Sequence, residues 1–292
     1  MRVKAVSREN LRDIASEDWI DHSRSPYTDG NIAWVPVRDD RPCDRELPRR
    51  MRYRGKGFFM LGDVAVIHGK KPAPADVEEI VSFRHPRGVL WIGSLRGVAR
   101  TPETEILWGD AGEVRHRENG YTYILDPAKV MFAQGNRTEK MRMAQLVRLS
   151  PTAERVADMF AGIGYFTIPM AGSGASVHAM EINPIAYGYL ERNIRENDLS
   201  GRVDTSPGDC RNLLTGIYDR IVMGHFDALS VLPFVLSHVR EGSVIHLHSI
   251  GAVEDKIRKE TEKAGFSATI HVRNVKKYRP HVWHVVQDVM IA

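Results

Sequence analysis

Beyond about residue 150, short apolar runs alternate with amphipathic stretches. RVADMF, SVHAMEI, VDTSP, DRIVMGH and SVIHLHSI read as strands, while the segment from 164 and those at 184–197, 211–216, 227–239 and 253–264 carry helical spacing. Strand-helix alternation with short turns predicts a mostly parallel, doubly wound α/β sheet. The pattern then changes. ATIHVRNVKKY and HVWHVVQDVMI are joined through Arg279-Pro280 with no helix between them, so the chain is expected to end in an antiparallel hairpin.

Upstream, TEKMRMAQLVRL sits in a helical pattern from about Asn136 to Leu149. EVRHR (113–117) and YTYIL (121–125) flank Glu118-Asn119-Gly120, and Asn-Gly supplies the positive φ of a tight hairpin turn. FFMLGDVAVIHG (58–69) gives two apolar runs around Gly62-Asp63, residues 76–84 suit a helix ended by Pro86, and VLWIG (89–93) a strand. Residues 1–57, punctuated by Pro26, Pro36, Pro42 and Pro48, read as irregular structure with one short helix near 7–19. The expected organisation is an N-terminal basic segment (1–57), a small α+β module with a candidate RNA contact (58–125), and a Rossmann-like catalytic domain (126–292).

Composition narrows the classes. With 42% apolar and 27% charged residues over 292 positions the chain should fold, and no run approaches the roughly 18 apolar residues of a membrane helix. The N-terminus, MRVKAVSREN, lacks an apolar export signal, so a cytoplasmic protein is expected. The 2 cysteines, Cys43 and Cys210, are far apart without CxxC spacing, which argues against a disulfide framework or a zinc ribbon. The net charge of +4 is unevenly spread: residues 1–150 hold 26 basic and 21 acidic side chains, residues 151–292 hold 15 and 16. Arg45, Arg49, Arg50, Arg52, Arg54 and Lys56, interleaved with Tyr53, Phe58 and Phe59, suit a polyanion, RNA in particular. A solvated loop paired with the acids at 39–46 is the alternative.

The strongest motif is Asp158-Met-Phe-Ala-Gly162-Ile-Gly164-Tyr-Phe-Thr167, placed between a strand and a helix. Glycines there let the backbone approach a ligand, the helix N-terminus offers free N–H groups, and Glu181, ending the next strand, suits a pair of ribose hydroxyls. The dinucleotide fingerprint wants a third glycine where Thr167 stands, which disfavours NAD. Asp158, Glu181 and Asp209 fit a nucleoside with an amino-acid tail, with Asp209 facing the adenine amino group or else capping the segment 211–216. The expected fold is therefore the S-adenosylmethionine (SAM) methyltransferase type, with Phe160, Cys210 and Met223 completing the candidate pocket.

After the fourth strand, many SAM enzymes that methylate a base nitrogen carry Asn or Asp to accept a hydrogen bond from the attacking amine. Here the strand ends Met223-Gly224-His225, and Gly224 has no side chain to accept. His225 is a candidate general base, or a structural residue. His246 and His248, at i and i+2 near His271, His281 and His284, lack an accompanying Cys or helically spaced carboxylate, so no metal site is expected.

DPAKVMFAQGNRTEKMRM (126–143), VADMFAGIGYFTIP (156–169), DRIVMGH (219–225) and NVKKYRPHVWHVV (274–286) together resemble the archaeal tRNA wybutosine-synthesising aminocarboxypropyltransferases, sisters of the tRNA guanine-N1 methyltransferases. The sister family has Asn-Leu-Pro where this chain has Gly-His-Phe. The resemblance covers roughly 57–292 and implies transfer of the 3-amino-3-carboxypropyl group of SAM to 4-demethylwyosine in tRNA-Phe, without a metal or a protein partner. It also implies that Ala133 and Lys140 stand where the family contacts the SAM tail with Ser and Arg, with Arg142 able to supply the missing guanidinium. Guanine-N1 methylation of tRNA and non-catalytic tRNA binding are the competing readings.

Overall fold

The computed structural model describes residues 1–47, 53–97, 100–132 and 134–292, with the side chains of residues 95 and 96 also left aside. Ala133, Arg49, Arg50 and Arg52 therefore lie outside the described residues. The chain divides into two compact units, Met1–Arg54 and Gly55–Ala292.

The first unit corrects an expectation. Where the prolines suggest irregular structure, a four-stranded sheet runs in the order Tyr27–Asp29, Ile32–Pro36, Arg2–Ser7, Arg45–Glu46. The expected helix is reduced to a single 3₁₀ turn, Arg8–Leu11. Val3, Ala33, Val35 and Val37 are buried at period-two spacing, and Pro36 sits at a strand end, where it costs no needed ladder bond. Arg54 is exposed and Lys56 is half-buried.

The second unit is built on a seven-stranded sheet in the order Val203–Pro207, Ser176–Glu181, Arg155–Asp158, Arg220–Met223, Val244–Ile250, Val282–Ile291, Ala268–Arg279. The first five are mutually parallel and the last two antiparallel, the SAM-methyltransferase arrangement expected from the sequence. Helices Arg137–Arg148, Pro184–Glu196 and Glu254–Lys263 fall where periodicity places them. Two others do not. The segment 211–216 is only a 3₁₀ turn, Cys210–Asn212, and 227–239 breaks into Ala228–Val231, Leu232–Val235 and Leu236–His238.

Ahead of this sheet, Phe59–Leu61, Val64–His68, Gly88–Arg96 and Thr101–Gly109 form a four-stranded sheet, with helix Pro74–Arg84 between its second and third strands in the chain, and Val114–Glu118 pairs with Tyr121–Leu125 about Asn119 and Gly120 at φ 55° and 89°. One continuous apolar core joins Leu61, Leu90, Val114 and Tyr123 to Met143, Val156 and Leu190. Buried Asn193 fastens the hairpin to the helix: its Oδ1 accepts from Ile124 N at 2.7 Å, and its Nδ2 donates to the carbonyls of Ile124 and Ile163 at 3.1 and 3.0 Å. Ile163 belongs to the glycine loop, so a single side chain holds hairpin, helix and loop in register.

Candidate functional site

A cavity of about 690 Å³, within the range of small-ligand sites, opens at the carboxyl ends of the parallel strands. Phe160, Gly162, Glu181, Asp209, Cys210 and His225 all line it, together with Gly224. Gly162 adopts φ +58°, and a Cβ there would lie 2.5 Å from the Tyr165 ring. Only glycine fits this bend. Tyr165 is itself held, its hydroxyl donating to the Met131 carbonyl.

Glu181 closes the loop from the next strand. One carboxylate oxygen accepts from Gly162 N and the other from Asn183 N, each at 2.7 Å. Asn183 caps helix Pro184–Glu196 by accepting from Ile185 N at 3.0 Å, with Pro184 fixed at the first helical position. Burial raises the Glu181 carboxyl, and those backbone bonds pull the other way.

Several sequence candidates stand behind the cavity. Asp158 is fully buried and accepts from the Thr167 hydroxyl at 2.7 Å, which explains a threonine at the third-glycine position. Gly164 is a packing position, where a Cβ would meet Ile168 at 2.7 Å, and Met223 is wholly buried in the core. Burial pushes the Asp158 carboxyl up to about 6 against the opposing hydroxyl bond. Its folded pKa thus exceeds its unfolded value, so ionising it costs stability as pH climbs from about 4 through 6. Relative to wild type, Asp158→Asn is expected to gain about 2 kcal/mol in stability between pH 4 and pH 7, read from paired thermal melts. A difference that stays flat with pH would show that Asp158 ionises without cost.

Asp209 takes the capping role. It accepts from Arg211 N at 3.0 Å, and its carboxylate is gripped by the Arg211 guanidinium, which holds its pKa low. Burial pushes the adjacent Cys210 thiol up to about 11, so it serves as an apolar wall. His225 stacks on Phe160 at 5.3 Å, and its Nδ1 accepts from Asp227 N at 3.2 Å. The tautomer that fits this bond carries the proton of the neutral ring on Nε2. Burial, aided by the Arg100 charge, lowers the pKa of the ring.

The two candidate tail cations are claimed elsewhere. Lys140, fully buried, pairs with Glu118 at 2.8 Å inside a box of aromatic rings, with Phe132 at 4.6 Å and Tyr165 at 5.0 Å. Arg142 pairs with Glu139 at 2.6 Å and Asp288 at 2.7 Å. His246 belongs to the same network: it bonds Asp288 at 2.6 Å and also meets Arg220, which pairs with Glu154. Burial alone would raise the Asp288 carboxyl, but His246 and Arg142 outweigh it and hold it well below the usual range. His248 bonds His284 at 2.8 Å. Among the described residues no cluster of three or more metal-ligating side chains occurs.

Sequence reasoning missed Arg100, Phe226, Lys276, Tyr278 and His284, which complete the cavity wall. Arg100 precedes a strand of the small sheet and the last three lie on the C-terminal hairpin, so no local spacing connects them.

Residues 114–276 match the TRM5/TYW2 methyltransferase domain. A tRNA(Phe) (4-demethylwyosine(37)-C(7)) aminocarboxypropyltransferase of Methanocaldococcus jannaschii is 36% identical over 246 residues, 80% of this chain and 97% of its own. The chain belongs to the TRM5/TYW2 family. Among solved structures of the family, Trm5b from Pyrococcus abyssi superposes with a TM-score of 0.75 at 27% identity over 99% of both chains. Pyrococcus horikoshii TYW2 in complex with MeSAdo gives 0.70 at 29% identity over 81% of this chain and 91% of that one. No helix among the described residues is long and apolar enough to cross a membrane.

Proposed function

We propose that this chain transfers the 3-amino-3-carboxypropyl group of SAM to carbon 7 of 4-demethylwyosine at position 37 of tRNA-Phe, in the cytoplasm. The observation that carries the reading is Gly224. In a family that includes nitrogen methyltransferases, the strand end that would offer a side-chain acceptor offers bare backbone, and a Cβ there would lie 3.1 Å from the Phe166 ring. A side chain there would require the Phe166 ring to give by a few tenths of an ångström.

The residues present fit SAM. Gly162 provides the close backbone approach, the Glu181 carboxylate suits the ribose hydroxyls, and Phe160, Cys210 and Met159 supply an apolar wall beside them. Asp158 and Gly164 act behind the wall, holding the loop. We assign this chemistry to residues 126–292 and tRNA contact to the segments ahead of them, including Arg49, Arg50, Arg52, Arg54 and Lys56.

Bound there, SAM supplies a sulfonium that activates every carbon attached to sulfur, so orientation selects the product. Transfer forms one carbon–carbon bond to the purine-derived ring, breaks the bond between sulfur and the four-carbon arm, and leaves that electron pair on sulfur. The ring proton passes to solvent and methylthioadenosine is released. MeSAdo in the P. horikoshii relative is the nucleoside such a step leaves behind.

The test is product analysis. Substrate tRNA incubated with SAM is expected to gain an aminocarboxypropyl mass, with methylthioadenosine formed in equal amount. A methyl-sized gain accompanied by adenosylhomocysteine would overturn the proposal in favour of guanine-N1 methylation, and SAM binding without any product would favour a non-catalytic tRNA-binding role.

A further inference from the structure

With Lys140 and Arg142 engaged by carboxylates, the amino-acid tail of SAM lacks the cation expected for it, while the cavity holds two cations, Arg100 and Lys276, that have no ion pair among the described residues. We propose that Arg100 and Lys276 form an anion site in the cavity wall, taking a carboxylate or phosphate group that arrives with the substrates. The inference rests on the reading of the cavity as the SAM and tRNA site.

Three observations converge. The cavity carboxylates are spoken for or remote: Glu181 is held by backbone amides, Asp209 by Arg211, and Asp227 faces solvent beside His225 at 3.7 Å. Arg100 lies over the Phe226 ring with its guanidinium carbon 5.5 Å from the centroid, and its buried Nε has no partner. Lys276 reaches back over Gly135, where an added Cβ would meet its Nζ at 2.8 Å, and it pairs in register with His284, whose ring packs edgewise on the same Phe226 at 5.0 Å. Phe226 thus contacts both Arg100 and the C-terminal hairpin that carries Lys276.

Two desolvated like charges disfavour each other. Burial, reinforced by Arg100, holds the Lys276 ammonium below its ordinary value. An anion bound between them relieves both penalties, and the planar guanidinium offers two parallel N–H donors to a carboxylate or phosphate. Arg100 also stands at φ +49°, a left-handed backbone that non-glycine residues adopt at a cost. A turn held in that conformation aims the side chain in one direction.

Two anions can reach this place, the SAM carboxylate and an RNA phosphate. The full chain carrying Arg100→Gln and Lys276→Gln separates them by titration with three probes: SAM, methylthioadenosine, which lacks the tail, and tRNA. A carboxylate site predicts that SAM affinity falls about 30-fold or more while methylthioadenosine binding stays within about twofold. A phosphate site predicts unchanged SAM binding, weaker tRNA binding, and a salt dependence of tRNA affinity shallower by about 1 to 2 in log–log slope. Arg100→Lys should recover part of either loss. A folded double variant, by circular dichroism, that binds all three probes as wild type does would overturn the proposal. The readouts are binding constants, so they hold whether the product proves to be methyl or aminocarboxypropyl.

Discussion

Glu181→Ala is expected to weaken SAM binding about 100-fold or more, with the fold retained. Two effects act together. The variant frees Gly162 N and Asn183 N, each now bonded at 2.7 Å, and it removes the carboxylate suited to the ribose. A hydrogen bond to a charged group contributes about 1.5–3 kcal/mol, so losing the ribose contacts and the loop brace costs roughly 3 kcal/mol of binding, equivalent to about 100-fold. Glu181→Gln keeps an acceptor for one backbone amide and should fall between the two. Calorimetric titration with SAM, alongside far-UV circular dichroism, checks this. A Glu181→Ala variant that binds SAM within about threefold of wild type would remove Glu181 from the site and confine it to bracing the loop.

The place of Glu181 in the cavity was legible because it follows from position: a carboxylate ending the second strand of a doubly wound sheet, 19 residues after the glycine it meets. The same logic made the sheet legible, since alternating strands and helices and the unhelical ending at Arg279-Pro280 leave one arrangement of strands at the carboxyl edge. What escaped reading shares a physical cause. The strand Thr101–Gly109 is mostly solvated and shows no apolar alternation, and the sheet of residues 1–54 is made of strands as short as two or three residues set among prolines. Arg100, Lys276 and Tyr278 reach the cavity from elements that meet only in three dimensions. Whether Asp209 caps the segment that follows it is open in the sequence, and its bond from Arg211 N appears only in the folded chain.

Lys140 shows most clearly where a resemblance and the packing point different ways. The resemblance implies a SAM contact there, whereas in the structure Glu118, 22 residues earlier and brought round by the Asn119-Gly120 turn, holds the ammonium at 2.8 Å. Both are nearly inaccessible, at 0% and 5% exposure. Removing one member of a buried pair leaves an uncompensated charge and costs about 3–5 kcal/mol. Lys140→Ala is therefore expected to lower the melting temperature by about 10 °C. Lys140→Met combined with Glu118→Leu removes both charges and should regain most of that loss, because an apolar pair among Tyr123, Phe132 and Tyr165 needs no solvation. SAM affinity of the folded fraction separates the two roles. If Lys140 only fastens the hairpin to helix Arg137–Arg148, the double variant binds SAM within about twofold of wild type. If the ammonium instead holds the tail of SAM, the double variant binds at least tenfold more weakly although its stability is restored, and the carboxylate would then be met by Lys140 rather than by Arg100 and Lys276.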